Sequence, residues 1–176
     1  MKHVQLLFIA LCTTTFSFAQ NKGITFSSAV EYNNYIVDKQ QEVVQTILAF
    51  SATKELLKKE QIIDTYIPKV IKHLNDIKAM PAFKGNTALK TSSVNLFEFY
   101  KETFSGSYKR IIDIQKDGVV TKEEQKEAQQ ISVSVNAKET KLDAAFKTAQ
   151  QQFAAQNNMR IETNDLQKKI DKLKKK

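Results

Sequence analysis

The chain has 176 residues with 27 Lys and Arg against 19 Asp and Glu, a formal charge of +8, four glycines, two prolines, no tryptophan and one cysteine. That length suits a single domain with its own core, and one cysteine excludes a disulfide-stapled fold. No run approaches the ~18 consecutive apolar residues of a membrane-spanning helix.

Residues 1–19 read as an export signal. Met1, Lys2 and His3 form a short basic start, Val4 to Leu11 is apolar, and Ser17-Phe18-Ala19 places small residues where a signal peptidase reads. Cleavage after Ala19 is expected to leave 157 residues, with 26 basic against 19 acidic side chains. The expected location is outside the cytoplasm: periplasm, cell surface or medium. Cys12 lies inside this signal. Bulky Leu11 before it argues against the small-residue site that lipidation requires, so the mature chain is expected to carry no thiol.

Few turn residues and abundant Ala, Lys, Gln and Glu predict an all-α domain over residues 20–158, an antiparallel up-down-up-down four-helix bundle. The first helix starts near Ser28, which has the capping-box spacing to Glu31. Val30, Val37, Val44 and Ser51 recur every seven residues, with Asn33, Gln40 and Ile47 interleaved. That pattern places Asn33 and Gln40 at core-facing positions as a candidate buried polar network. A slight rotation would instead make them boundary residues beside Ile36 and Val43.

The second helix carries Leu56, Ile63, Tyr66, Val70, Leu74 and Ile77, with a kink or restart expected at Pro68 and a stop at Pro81. Phe83-Lys84-Gly85-Asn86 supplies a turn and a cap for a third helix bearing Leu89, Leu96, Phe97, Tyr100, Phe104, Ile111 and Ile114. Ser105-Gly106-Ser107 is expected to bend it. Phe99, opposite the main seam, reads as a candidate exposed contact.

Gly118 suits a left-handed helix stop, and Thr121 with Glu124 gives a second capping box. The fourth helix then follows with Ala128, Ile131, Val135, Lys138, Leu142, Ala145, Phe146, Ala149 and Phe153 on one face. From Arg160 to Lys176 seven basic and three acidic residues make residues 159–176 a basic tail, the feature most suited to touch anionic surfaces. Leu166, Ile170 and Leu173 share one face of it. Three apolar residues bury little area against the entropy of ordering, so a loosely attached, solvated segment is favoured over an amphipathic one.

One constellation resembles a metal loop. Between two predicted helices, residues 113–124 carry Asp113, Gln115, Asp117, Thr121 and Glu124 at calcium-ligand spacing, with Gly118 at the sixth position. The competing reading is a helix stop followed by a capping box, and no second calcium loop accompanies it. Without Glu-x-x-His pairs no carboxylate-bridged di-metal core is expected. His73, paired with Met80 or Met159, is the only conceivable haem ligand set, and His73 is expected at an exposed or boundary position. Hydrolytic triads and phosphate-binding glycine loops are absent, so no cofactor, no catalytic residue and no specific nucleic-acid partner is expected.

The ordered set Glu31-Tyr32-Asn33-Asn34-Tyr35-Ile36-Val37, Phe83-Lys84-Gly85-Asn86-Thr87, Leu96-Phe97-Glu98-Phe99-Tyr100-Lys101, Thr121 to Glu124, and Lys141-Leu142-Asp143 through Phe153-Ala154 resembles a family of exported helical surface proteins of leptospires and Bacteroidota. The resemblance spans about Ser28 to Asn158. It implies an exported bundle, in a family without established activity whose members are often lipoproteins. The reading that combines these features is a non-enzymatic envelope or surface protein that binds an envelope protein or cell-surface component. The alternative is a ligand- or calcium-binding bundle using Asp113 to Glu124.

Overall fold

The computed structural model describes residues 23–116 and 118–161. The export signal with Cys12, Asp117 and the tail beyond Ile161 lie outside the described residues. Five α-helices, α1 (Ala29–Ala52), α2 (Leu56–Ala79), α3 (Ala88–Glu102), α4 (Tyr108–Lys116) and α5 (Lys122–Gln156), make four rods, because a π turn over Thr103–Ser107 joins α3 to α4. The described residues contain no strand beyond an isolated Phe83–Asn86 bridge.

Ion pairs and hydrogen bonds show how the rods run. Between α1 and α2, Lys39 meets Asp76 (3.2 Å) and Glu42 meets His73 (3.0 Å). Between α2 and the third rod, Lys78 meets Glu98 and Lys116 meets Glu60, each at 2.8 Å. From the third rod to α5, Lys138 meets Glu102 (2.8 Å) and Arg110 meets Glu127 (2.7 Å). In every pair of rods one partner's number rises as the other's falls, so neighbours are antiparallel and the bundle is up-down-up-down.

The connections follow from their residues. Ser28 caps α1 by accepting the Glu31 N–H (3.1 Å), but the Glu31 carboxylate accepts from Ser27, at 2.8 Å from its N–H and 2.7 Å from its hydroxyl. The expected box is thus shifted by one residue. At Thr121 it is complete: Thr121 accepts the Glu124 N–H (3.2 Å) while Glu124 accepts the Thr121 N–H (2.9 Å). Lys84 and Gly85 both have positive φ (48° and 80°), the pairing a tight I′ reversal demands. Gly118 has φ 72°, as a left-handed stop requires.

Several faces differ from the expected ones. On α1 the buried residues are Tyr32, Asn33, Ile36, Val43, Val44 and Phe50: of the expected seam, Asn33 and Val44 are buried, Val37, Gln40 and Ile47 are half-buried at its edge, and Val30 and Ser51 are exposed. Two apolar stripes compete on this helix, and the one with Tyr and Phe buries more area per residue. Helix α2 runs through Pro68 from Leu56 to Ala79 as one helix, with no restart. The bend expected at Ser105-Gly106-Ser107 is the π turn, which adds one residue to the rod. In consequence Ile112 is fully buried and Ile111 only half so. Phe99 is buried, not an exposed contact, because α3 is flanked by both α2 and α5; the Lys138 ammonium sits 5.6 Å from its ring centre. On α5, Lys138 and Ala145 are exposed while Val135, Phe146, Ala149 and Phe153 carry the contact.

Candidate functional site

The bundle has two unlike ends. One holds both termini of the described chain and an aromatic cluster in which Tyr32 meets Phe26 (4.9 Å), Phe83 (5.3 Å) and Phe153 (5.4 Å). The Tyr32 hydroxyl donates to the Pro81 carbonyl (3.1 Å), which ties α1 to the loop before α3. The other end carries the α1–α2 and α4–α5 connections, held together where Lys116 bridges Glu60 and Asp113 (2.8 and 3.3 Å).

Asn33 and Gln40 are each engaged, but separately. Asn33 is buried and its carbonyl oxygen accepts from Gln150 on α5 (2.8 Å), while its amide donates to Asn34 (3.2 Å). Gln40 is half-buried and hydrogen-bonds the Tyr100 hydroxyl of α3. Two turns of helix separate them, so they form two cross-links and no single network. Burial, then the carboxylates of Glu139 and Asp143, hold the Tyr100 hydroxyl far above its usual range, against the opposing bond from Gln40.

His73 is the clearest correction inside the bundle. It is 8% exposed, at neither an exposed nor a boundary position, because it shares the α2 stripe with Tyr66, Val70 and Leu74 and α1 supplies Glu42 as its partner. Its ring also meets Phe97 edge-on at 6.4 Å. Nδ1 is buried with no hydrogen-bond partner, so the arrangement favours the tautomer in which Nε2–H donates to Glu42 and Nδ1 is a bare acceptor. The Tyr66 hydroxyl is likewise buried without a partner; the neighbouring Thr46 hydroxyl turns to the Glu42 carbonyl (3.0 Å). Burial raises the Tyr66 hydroxyl well above its ordinary value.

The residues at calcium-ligand spacing are placed as a helix end and a helix start. Asp113 and Gln115 lie within α4, and Asp113 pairs with Lys116. Thr121 and Glu124 bond each other in the capping box, which holds the Glu124 carboxyl below its ordinary range, chiefly through the Thr121 N–H. Among the described residues, no group of three or more His, Cys, Asp or Glu is arranged to hold a metal ion. A dent between α2 and α4, lined by Glu60, Ile63, Lys109, Ile112 and Asp113, has about 30 Å³ of free space, room for a single water.

The ion pairs have a measurable consequence at Asp76. Partial burial pushes its carboxyl up, but Lys72 (2.8 Å) and Lys39 (3.2 Å) outweigh that and set it below the ordinary value. A depressed folded-state value stabilises the fold above the unfolded carboxyl's pKa, and the contribution vanishes as pH falls through the folded one. Asp76→Asn is therefore expected to cost about 0.5–1 kcal/mol at pH 7 and nothing near pH 2. Urea midpoints at the two pH values check this, and an undiminished gap in acid would remove the charge from the account.

What the sequence reading missed is the loop end itself. Leu57 is 74% exposed, Val119 77% and Val120 46%. Leu57 is one turn before Glu60, and Val119 follows shortly after Lys116, the two residues bridged across this end. The signal was legible: Val119-Val120 falls between a helix-stopping glycine and a capping threonine, outside any helical stripe. Among the described residues no helix is long and apolar enough to cross a membrane. Comparison with known proteins gave no matching family model, no matching curated relative and no matching solved structure.

Proposed function

We propose that this chain is an exported, non-enzymatic helical bundle of the cell envelope or surface that binds an envelope protein or cell-surface component through its loop end. The observation that carries this reading is the exposure of Leu57, Val119 and Val120 at the end opposite the termini of the described residues. Exposed aliphatic side chains on the same end of a bundle are costly in water, and such side chains are commonly used in binding patches. The leader pattern of residues 1–19 supports export, and the resemblance to exported helical surface proteins points the same way. Against an active site stands the use of the reactive side chains: His73 is committed to Glu42 inside the bundle, and Glu124 to Thr121 at a helix start.

Immobilised protein is expected to capture a component from an envelope fraction. The Leu57→Ser, Val119→Ser, Val120→Ser variant should keep its helical circular dichroism, because those side chains are exposed, yet bind roughly tenfold or more weakly. Equal capture by both proteins would place binding elsewhere, and capture by neither would defeat the reading.

A further inference from the structure

Leu57, Val119 and Val120 stand on two separate connections of the loop end, Leu57 in the first turn of α2 and the two valines between α4 and α5. Val119 and Leu57 are the two most exposed large apolar side chains of the described residues. Gly118, with its positive φ, and the Thr121 cap bound the valines closely, so they sit on a short turn anchored on both sides.

The charges beside them are unevenly engaged. Glu55 holds Lys58 (2.7 Å), Glu60 and Asp113 hold Lys116, Glu127 holds Arg110, and Glu124 is taken up by the Thr121 cap. Lys54, three residues before Leu57, and Lys122, two after Val120, are exposed and pair with no carboxylate among the described residues; nor does Lys126, one turn farther along α5. Among the described carboxylates of these connections only Glu123 lacks a partner. Unpaired ammonium groups therefore flank both apolar points.

Shape decides what such a surface fits. A protein partner's anchoring side chain needs a pocket, and the dent between α2 and α4 at this end has room for a single water. Side chains on two connections also present no single anchor for a pocket on the partner. A bilayer demands neither, because each aliphatic side chain enters the fluid acyl boundary at its own position while nearby lysines meet lipid phosphates.

We propose that the loop end binds the surface of an anionic phospholipid bilayer, with Leu57, Val119 and Val120 entering the boundary between headgroups and acyl chains and Lys54, Lys122 and Lys126 meeting the phosphates. This rests on the loop end being the chain's binding surface, and names the partner there as lipid. Depth fits as well. Entry by about 5–10 Å covers the connections and leaves Lys126, about 6 Å along α5 from Lys122, at the level of the headgroups.

The chain has no tryptophan, so Val119→Trp in the full chain reports from this loop alone. Vesicles of phosphatidylcholine with phosphatidylglycerol are expected to shift its emission to shorter wavelength, and brominated acyl chains to quench it, whereas vesicles of phosphatidylcholine alone do neither. Val133→Trp, at an exposed position of α5 about 16 Å from Lys122, should stay unshifted on the same vesicles. Adding Lys54→Gln, Lys122→Gln and Lys126→Gln to the Val119→Trp chain should raise the lipid concentration for half-maximal shift roughly tenfold or more. An equal response to both vesicle types, an unchanged lipid requirement in the lysine variant, or an equal response from Val133→Trp overturns the proposal, the last because attachment would then run through another part of the chain. An unshifted Val119→Trp chain overturns it too. If the Leu57→Ser, Val119→Ser, Val120→Ser variant then still loses capture from the envelope fraction, the loop end binds a protein and only the lipid assignment falls; if capture is undiminished, the loop-end reading falls with it.

Discussion

Replacing Phe104 with alanine is expected to destabilise the bundle by about 3–5 kcal/mol, the usual cost of emptying a fully buried aromatic site. Phe104 sits inside the π turn with no exposed surface, its ring 5.3 Å from Tyr66 on α2 and 5.3 Å from Tyr108 at the start of α4. Tyr108 in turn stacks on Phe50 of α1 at 4.7 Å. One side chain therefore supports three rods at the level where the third rod changes helical type. Collapse around the lost ring is hindered from both sides, which argues for the upper half of the range. Urea unfolding followed by helical circular dichroism measures the effect, with the thermal midpoint falling by roughly 10 °C or more. Phe104→Leu keeps most of the volume and should lose less than half as much. Phe26→Ala, which removes a partly buried ring at the terminal end, serves as a control expected to cost far less. If all three variants unfolded together, the π-turn aromatic would have no special place in the core.

The elements most legible in the sequence were those fixed by local chemistry. Thr121 and Glu124 announce the start of α5, Gly85 the reversal before α3, and Gly118 the end of α4, because each satisfies a backbone demand of its own neighbourhood. The face of α1 was less legible. Its valines repeat every seven residues, but Tyr32, Ile36, Val43 and Phe50 repeat as well, and only the neighbouring rods decide which stripe is covered. His73 and Phe99 were misplaced for a related reason. Both lie on helices flanked on more than one side, where Glu42 and Lys138 arrive from elements distant in sequence. The exposed valines of the loop end are legible in the sequence as well, since Val119 and Val120 fall between the Gly118 stop and the Thr121 cap, outside either helical stripe.

The second large effect concerns register. A π turn holds one residue more than the α-helix it interrupts, so deleting Gly106 should convert Thr103–Ser107 to regular helix and leave α3 and α4 facing as they do now. Gly106 is exposed and its place in a helix is disfavoured by about 1 kcal/mol relative to alanine, so the deletion loses little by removing it. The expected change in stability is within about 2 kcal/mol of zero, and the helical signal should be retained. Deleting Asn95, exposed on α3, has the opposite outcome. Each following residue turns by about 100° relative to Leu89 and Ser93, so Leu96, Phe97, Phe99 and Tyr100 all leave their buried positions before the π turn can absorb the change. Four large side chains at about 1.5–3 kcal/mol each amount to roughly 6–12 kcal/mol, as much as the whole stability of a typical domain, and that variant should not fold cooperatively. Equal loss from the two deletions would show that the π turn is not an inserted residue in an otherwise regular rod, and the account of Ile112 displacing Ile111 in the core would fall with it.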